Sequence, residues 1–564
     1  MRSTRPEMNR RTFLRHATTG AVAATSIGVF GGSAIRTAAA APATALQEPK
    51  LGGTLTLSVP QKTSFSHFMH MRHFAGGENI YSRTLANARL VTLNQDRSEF
   101  LGDLAERWEF SEDGMHLTFF LRQGLTWHDG EPFTSADVNF TYHMIGIPGV
   151  NSTLMGSLFS DYVVGMKEWI DGQAENISGL TMPDEYTVTF ALHNAFSDLV
   201  LLTLFNQVCI APNHVLSAYL DRTKGEEILR SEWATTANHI GLGPFKVVEY
   251  EPDQFIVYEP FENYYRGKPL LDQVIYRSYQ DATTNAAALQ NKEIDAARLP
   301  AVEYERFKEF DFLNFHENVS LTYSGTPFNT RQPYLNKQVR QALFHAIDRE
   351  AMAQTLYAGA VEVVHSPIAV PQYGDSPNLA KFEYDPERAQ ALLAEGGWDS
   401  SRKIRWAVAQ IPDSEQDQAY YAAINGFWEA VGVQAEFQVF GQDSTVLWGP
   451  GWDFDLYPSS YPIGIPASIA IHLDPRLASY VSAGFDTPEF VALWDAAQLQ
   501  APDEEMQATI WGLQEMIADE ALSLMIVRSP DIWAVDKRVH GLTPAYFGYE
   551  ADLYDWQLEK VWVE

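Results

Sequence analysis

Trp108-Glu109-Phe110-Ser111-Glu112-Asp113-Gly114 leads through Leu121-Arg122-Gln123-Gly124 into Trp127-His128-Asp129-Gly130 and then Thr134-Ser135-Ala136-Asp137-Val138. Asp113-Gly114 and Asp129-Gly130 are dipeptides that tolerate positive φ in tight turns. Between them Met115, Leu117, Phe119 and Leu121 recur at every second position, the period of a strand with one apolar face. Consecutive β-hairpins are the expectation. Thr134 stands three residues before Asp137, so its hydroxyl and the carboxylate can each satisfy a free amide at the start of a helix over about 135–145.

Ala105-Glu106-Arg107-Trp108-Glu109, Asp113-Gly114, Phe119-Phe120-Leu121-Arg122, His128-Asp129-Gly130 and Ala136-Asp137-Val138, in that order, resemble the signature of extracellular solute-binding proteins of the peptide/nickel class, family 5. Those proteins are the receptors that feed ABC importers. The resemblance continues in Gly52-Gly53-Thr54-Leu55, Gly241-Leu242-Gly243-Pro244-Phe245, Asn263 to Pro269, Ala288 to Asp295, Val339-Arg340-Gln341-Ala342, Ala346-Ile347-Asp348-Arg349 and Tyr384-Asp385-Pro386-Glu387. It therefore runs from about Gly52 to the C-terminus. It implies an α/β, two-lobed periplasmic-binding-protein fold with a hinge, of the cluster C type, with an extra subdomain inserted in the first lobe. A monomer working with membrane permease subunits is implied as well.

At the N-terminus, Asn9-Arg10-Arg11-Thr12-Phe13-Leu14 precedes a glycine-interrupted apolar run and an alanine-rich stretch that offers A-x-A cleavage sites near Ala40 and Ala45. This reads as a twin-arginine signal peptide over residues 1–45, too short and too weakly apolar for a spanning helix. The only cysteine is Cys209, so no internal disulfide can form, and no cysteine follows the signal to carry a lipid anchor. A periplasmic or secreted protein, not lipid-anchored, is expected. Without the signal the chain carries 34 basic and 71 acidic side chains, a balance of −37. That charge argues against nucleic acid as a partner and for solvation.

About 520 residues after the signal exceed a single core. The implied organisation is lobe I over 46–318 with its inserted subdomain at about 85–235, lobe II over 319–528, and a C-terminal return to lobe I over 529–564, with crossings near Asn314 to Tyr323 and Val527 to Ile532. Local signals fit: Phe245 to Tyr250 and Phe255 to Tyr258 flank a Pro252-Asp253 turn. Val339, Leu343, Ala346 and Ile347 share a helical face. Asp348 caps one helix, and Asp385-Pro386 opens another that Gly396-Gly397 stops. Ile404 to Val408, a helix over about 415–431, and Val433 to Phe440 form a βαβ unit.

No P-loop, H-E-x-x-H or nucleophile-elbow motif occurs in the chain beyond the signal, so neither an enzyme nor a cofactor is expected. The expected function is capture of a small solute, a peptide first, by lobe closure. Peptide binders of this class hold the ligand ammonium with an aspartate in a loop after an Asp-x-Asp-like strand. Here that strand corresponds to Trp452-Asp453-Phe454-Asp455-Leu456, and the loop from Tyr457 to Pro466 contains no carboxylate. Either Asp453 or Asp455 takes the role, or the ligand lacks a free amine. Candidate ligand contacts are Phe68, His70, Phe74, Asn329, Trp448, Trp452, Asp453, Asp455, Tyr457, Ser459, Ser460 and Tyr461, polar and aromatic groups in these loops. His67, His70 and His73, beside Met69 and Met71, would suit nickel, copper or haem, although Arg72 among them repels a cation. The non-peptide alternatives are thus a metal complex, haem or an oligosaccharide.

Overall fold

The computed structural model describes residues 49–564 apart from 60–84, 95–98, 151–153, 253, 280, 319–321, 369–372, 413–414, 442–452, 463–468, 470–472, 476–482, 501–503 and 543–556. The signal segment lies outside these residues, as do Phe68, His70, Phe74, Trp448, Trp452, His67 and His73.

A seven-stranded sheet has the order Leu313–Asn318, Asp531–Asp536, Ala296–Leu299, Thr54–Val59, Gln273–Ser278, Phe255–Pro260, Phe245–Glu251. Thr54–Val59 lies in the middle and runs parallel to both its neighbours. The period of two sorts its side chains onto two separate cores. Leu55, Leu57, Val274, Tyr276, Trp533 and Val535 fill one face. Ala297, Leu299, Leu313, Ile532 and Ala534 fill the other, under Ala286 and Leu289 of the helix Ala282–Gln290.

The opening stretch builds a four-stranded antiparallel sheet in the order Ala105–Phe110, His116–Leu121, Thr187–Ala191, Leu180–Asp184. Gly114 turns the first hairpin at φ +72°, and Leu117, Phe119 and Leu121 are buried. The second expected hairpin is not a strand pair. Residues 126–132 form only a tight turn closed by one bridge, Thr126 to Pro132. Trp127 and Phe133 are both fully buried there, edge to face at 6.4 Å, so the chain dives into the core instead of alternating in and out. The free edge of His116–Leu121 is taken by Thr187–Ala191. The helix Ser135–Ile145 carries the capping box read from Thr134 and Asp137.

This module meets the large sheet where Gly241 and Gly243 cross residues 85–87. A Cβ on Gly241 would sit 1.7 Å from the Ala86 carbonyl oxygen, which is why side chains are absent. His128 locks the crossing: Nδ1 accepts the Gly241 N–H at 3.1 Å, so the proton sits on Nε2, which donates to Gly243 O at 3.0 Å. Burial pulls its pKa down to about 3. The unfolded chain takes up this proton near 6.5 and the folded chain only near 3. The contribution is therefore complete above about pH 6.5 and is lost as pH falls toward 3, by up to about 1.4 kcal/mol per pH unit. Urea midpoints at pH 7, 5 and 4 will fall accordingly, and His128→Gln will flatten that slope; equal slopes in the two proteins would refute the assignment.

The remaining chain forms a second α/β body. Thr322–Pro327 lies between Ser459–Pro462 and Ser523–Met525 in a three-stranded sheet. Lys403–Val408, the helix Glu415–Ala430 and Gln434–Val439 make the expected parallel βαβ unit, with Trp406 stacked on Trp428 at 5.2 Å. Asn336, Asp348 and Asp385 each cap a helix, and Val339, Leu343, Ala346 and Ile347 are buried. The strands on either side of 319–321 belong to different sheets, as do Val527–Arg528 and Asp531–Asp536. One continuous apolar core runs from Leu104, Phe119 and Phe205 of the module to Phe344, Trp406 and Leu513 of the second body.

Candidate ligand site

Alternation along the parallel pair sends Trp406 and Phe437 toward the helix Glu415–Ala430, where Phe437 meets Tyr421 at 5.1 Å. Arg405, Ala407, Gln438 and Phe440 are out of phase with them. Asp453 to Tyr457 runs beside Arg405 and Ala407: Leu456 N–H donates to Arg405 O at 3.1 Å, and Ala407 N–H donates to Leu456 O at 2.8 Å. The strand read over 452–456 is, among the described residues, an extended segment with ladder bridges only at Leu456.

Arg405 organises this face. Its Nη2 and Nε donate to Asp455 at 3.0 and 3.4 Å, and its backbone N–H adds a third bond at 2.9 Å. Nη1 pairs with Asp453, and Tyr334 Oη donates to Asp455 Oδ1 at 2.6 Å. Partial burial opposes the guanidinium charge, but Asp455 and Asp453 hold its pKa above the ordinary arginine value. Burial and then Asp455 push the Tyr334 hydroxyl up.

Two expectations are corrected here. Asp455 is fully buried and accepts four hydrogen bonds, so it has no lone pair to offer an ammonium. Asn329 is also fully buried: its N–H donates to Asp455 O, its Nδ2 to Phe454 O, and its Oδ1 accepts from Arg331 N–H. Both residues brace the Asp453–Tyr457 segment and are closed to a ligand. Asp453 differs, with its side chain 76% exposed. One guanidinium against two carboxylates leaves the group at −1, with the excess on the exposed acid.

Tyr457 is half-buried, its ring 6.4 Å from Phe440 over Ala407, Phe454 and Ala483. Ser459, Ser460 and Tyr461 were expected in a loop but lie in the strand Ser459–Pro462, opposite Gly325, Ser324 and Tyr323. The edge of Thr322–Pro327 was open to pairing, and a strand forms there although the residues look loop-like. Arg405, Tyr334, Gln438 and Phe440 were not singled out in the sequence. A charged Arg405 between Ile404 and Trp406 in the strand was the available signal, because such a charge requires a partner. Among the described residues no group of three His, Cys, Asp or Glu side chains could hold a metal, and no helix is long and apolar enough to cross a membrane.

Residues 99–468 match the family model described as bacterial extracellular solute-binding proteins, family 5, middle region. The chain belongs to that family. Among family 5 relatives, a dipeptide-binding protein of Escherichia coli K12 is 28% identical over 64% of this chain and 69% of its own. Heme-binding protein A of Haemophilus influenzae is 26% identical over 85% of this chain and 86% of its own. The solved structure of the oligopeptide-binding protein AppA from Bacillus subtilis, in complex with a nonapeptide, superposes with a TM-score of 0.74 at 21% identity, covering 92% of this chain and all of that one. The two α/β bodies thus make up the two-lobed binding-protein fold of family 5.

Proposed function

We propose that this chain is the extracytoplasmic receptor of an ABC importer and captures a peptide between its two lobes, with no catalytic step. The observation that carries the closure is the route of the chain. It leaves the large sheet after Leu313–Asn318 and re-enters it at Asp531–Asp536, with Ser529-Pro530 between the last strand of the second body and the return. Few residues then have to change φ and ψ for one lobe to swing against the other, and a ligand touching both lobes stabilises the closed form by its extra contacts. On this reading lobe I is 46–318 with the module at about 85–235 inserted, lobe II is 319–528, and 529–564 returns to lobe I. Export by the twin-arginine route to the periplasm, a monomeric state and docking on permease subunits belong to the same reading.

A relative named for dipeptide binding, and a protein of like fold named for oligopeptide binding and solved with a nonapeptide, support the peptide. Asp453 is the acid with capacity left for the peptide ammonium, and Tyr457 with Phe440 supplies an apolar wall beside it. Calorimetry with tri-alanine and N-acetyl-tri-alanine tests this. Tri-alanine should bind about tenfold or more tighter than the acetylated form, and Asp453→Asn should remove the difference. Absence of binding by either peptide at millimolar concentration would overturn the peptide reading. It would favour a haem-like or other non-peptide ligand, for which the missing loop carboxylate and the haem-binding relative speak.

A further inference from the structure

Beside the crossing of Gly241 and Gly243, a cavity of about 470 Å³ opens between the module and Phe245–Glu251, the terminal strand of the large sheet. That volume lies in the range of about 300–1,000 Å³ typical of small-ligand sites. Trp233, Ile240 and Val247 give it an apolar lining, and Trp233 is fixed by its Nε1, which donates to Ile240 O at 2.8 Å. His128 and His239 also border it, but their nitrogens are engaged within the protein. The Nδ1 of His239 donates to Trp233 O at 3.0 Å, and its Nε2 meets the Asn87 carboxamide at 3.1 Å. Burial pulls the His239 pKa down to about 4, as it pulls that of His128 to about 3, so neither imidazole brings a charge at neutral pH.

The charged side chains of the cavity are Lys246, Asp129 and Glu232. Lys246 is half-buried, yet among the described residues it makes no ion pair. Glu259, opposite it in the next strand, is exposed, and Glu262 is taken by Lys268 at 2.7 Å. The chain carries 72 acidic and 40 basic side chains, so this lysine is not left alone for want of acids. Its ammonium keeps the capacity to donate to an anionic group. Asp129 Oδ1 accepts the Glu131 N–H at 3.2 Å and Oδ2 meets His214 Nε2 at 2.8 Å, while Glu232 Oε2 accepts from Asn238 Nδ2 at 3.2 Å. Each of these oxygens keeps a second lone pair for a donor. Lys246 and Asp129 both act on the His128 ring, in opposite senses, so the two signs of charge stand around one part of the cavity.

We propose that this cavity is a second solute site, separate from the face of Asp453, and takes an aliphatic amino acid. The carboxylate of the ligand pairs with Lys246, its ammonium with Asp129 and Glu232, and its side chain packs on Trp233, Ile240 and Val247. A ligand with one charge leaves either the ammonium or the two acids unmatched, and a metal cation is repelled by Lys246. None of the lining residues belongs to the second body, so the site needs no swing of that body and stands independently of the closure reading.

The test is calorimetry on the full chain with L-leucine, with L-leucinamide, which lacks the carboxylate, and with N-acetyl-L-leucine, which lacks the ammonium. Leucine should bind about fivefold tighter than either analogue, the upper range for one partly exposed charge pair. Lys246→Met should remove the advantage over leucinamide, and Glu232→Gln should reduce the advantage over acetyl-leucine. Asp453→Asn should change neither. Absence of leucine binding at millimolar concentration, or an advantage over leucinamide that survives Lys246→Met, would overturn the site. An advantage lost in Asp453→Asn would overturn it as well, because it places the amino acid on the second body.

Discussion

Asp455→Ala lowers the stability of the second body by about 3–5 kcal/mol, the range for removing one partner of a buried pair. The substitution deletes the acceptor of Arg405 Nη2, Nε and backbone N–H together with that of Tyr334 Oη. The guanidinium and the hydroxyl are left in a partly dry site with a single exposed carboxylate, Asp453, to share. Asp453→Ala is the matched control. It removes one exposed partner of the same arginine and should cost less than about 1 kcal/mol. Urea denaturation followed by tryptophan fluorescence separates the two cases. Equal losses in the two variants would contradict the division of labour between a buried, bracing acid and an exposed one.

Gly241→Ala is the second large effect. Its Cβ would lie 1.7 Å from Ala86 O and 2.7 Å from Ala86 C, and both chains are pinned, by Gly243 N–H on Ala86 O at 2.9 Å and His128 N–H on Gly241 O at 3.0 Å. The obstruction is backbone, so no rotamer can relieve it. A loss of about 3 kcal/mol or more is expected. Gly426 offers the contrast within the same protein. It lies inside the helix Glu415–Ala430 with nothing within 4 Å of the point a Cβ would occupy, so Gly426→Ala should stabilise by about 0.5–1 kcal/mol. Opposite signs for the two substitutions in thermal melts are the expected result, and a tolerated Gly241→Ala would mean that the crossing is looser than its geometry.

What was legible in the sequence was local. The Thr134–Asp137 capping box, the Asp113-Gly114 hairpin, the caps at Asp348 and Asp385 and the βαβ unit depend on neighbours a few residues apart, and the sequence states those neighbours directly. The second hairpin failed because Trp127 and Phe133 answer to the core and not to the turn beside them. The site was legible only in part. Arg405 reaches Asp455 across 50 residues and Tyr334 reaches it across 121, and nothing in spacing reveals such pairs. Asn329 and Asp455 were attractive as ligand groups because they are polar residues in functional-looking segments. Their hydrogen bonds are consumed inside the protein, and only the structure displays that. The Tyr162–Gln498 hydrogen bond is of the same kind, with its partners separated by 336 residues.

The most direct test of ligand capture is native mass spectrometry of the full protein purified gently from the compartment to which it is exported, followed by denaturation and identification of what is released. Ligand capture requires a mass above that of the chain that disappears on denaturation, with short peptides among the released species. A protein that carries no small molecule, and whose mass and inter-lobe distance stay unchanged when peptides are added, would contradict the account.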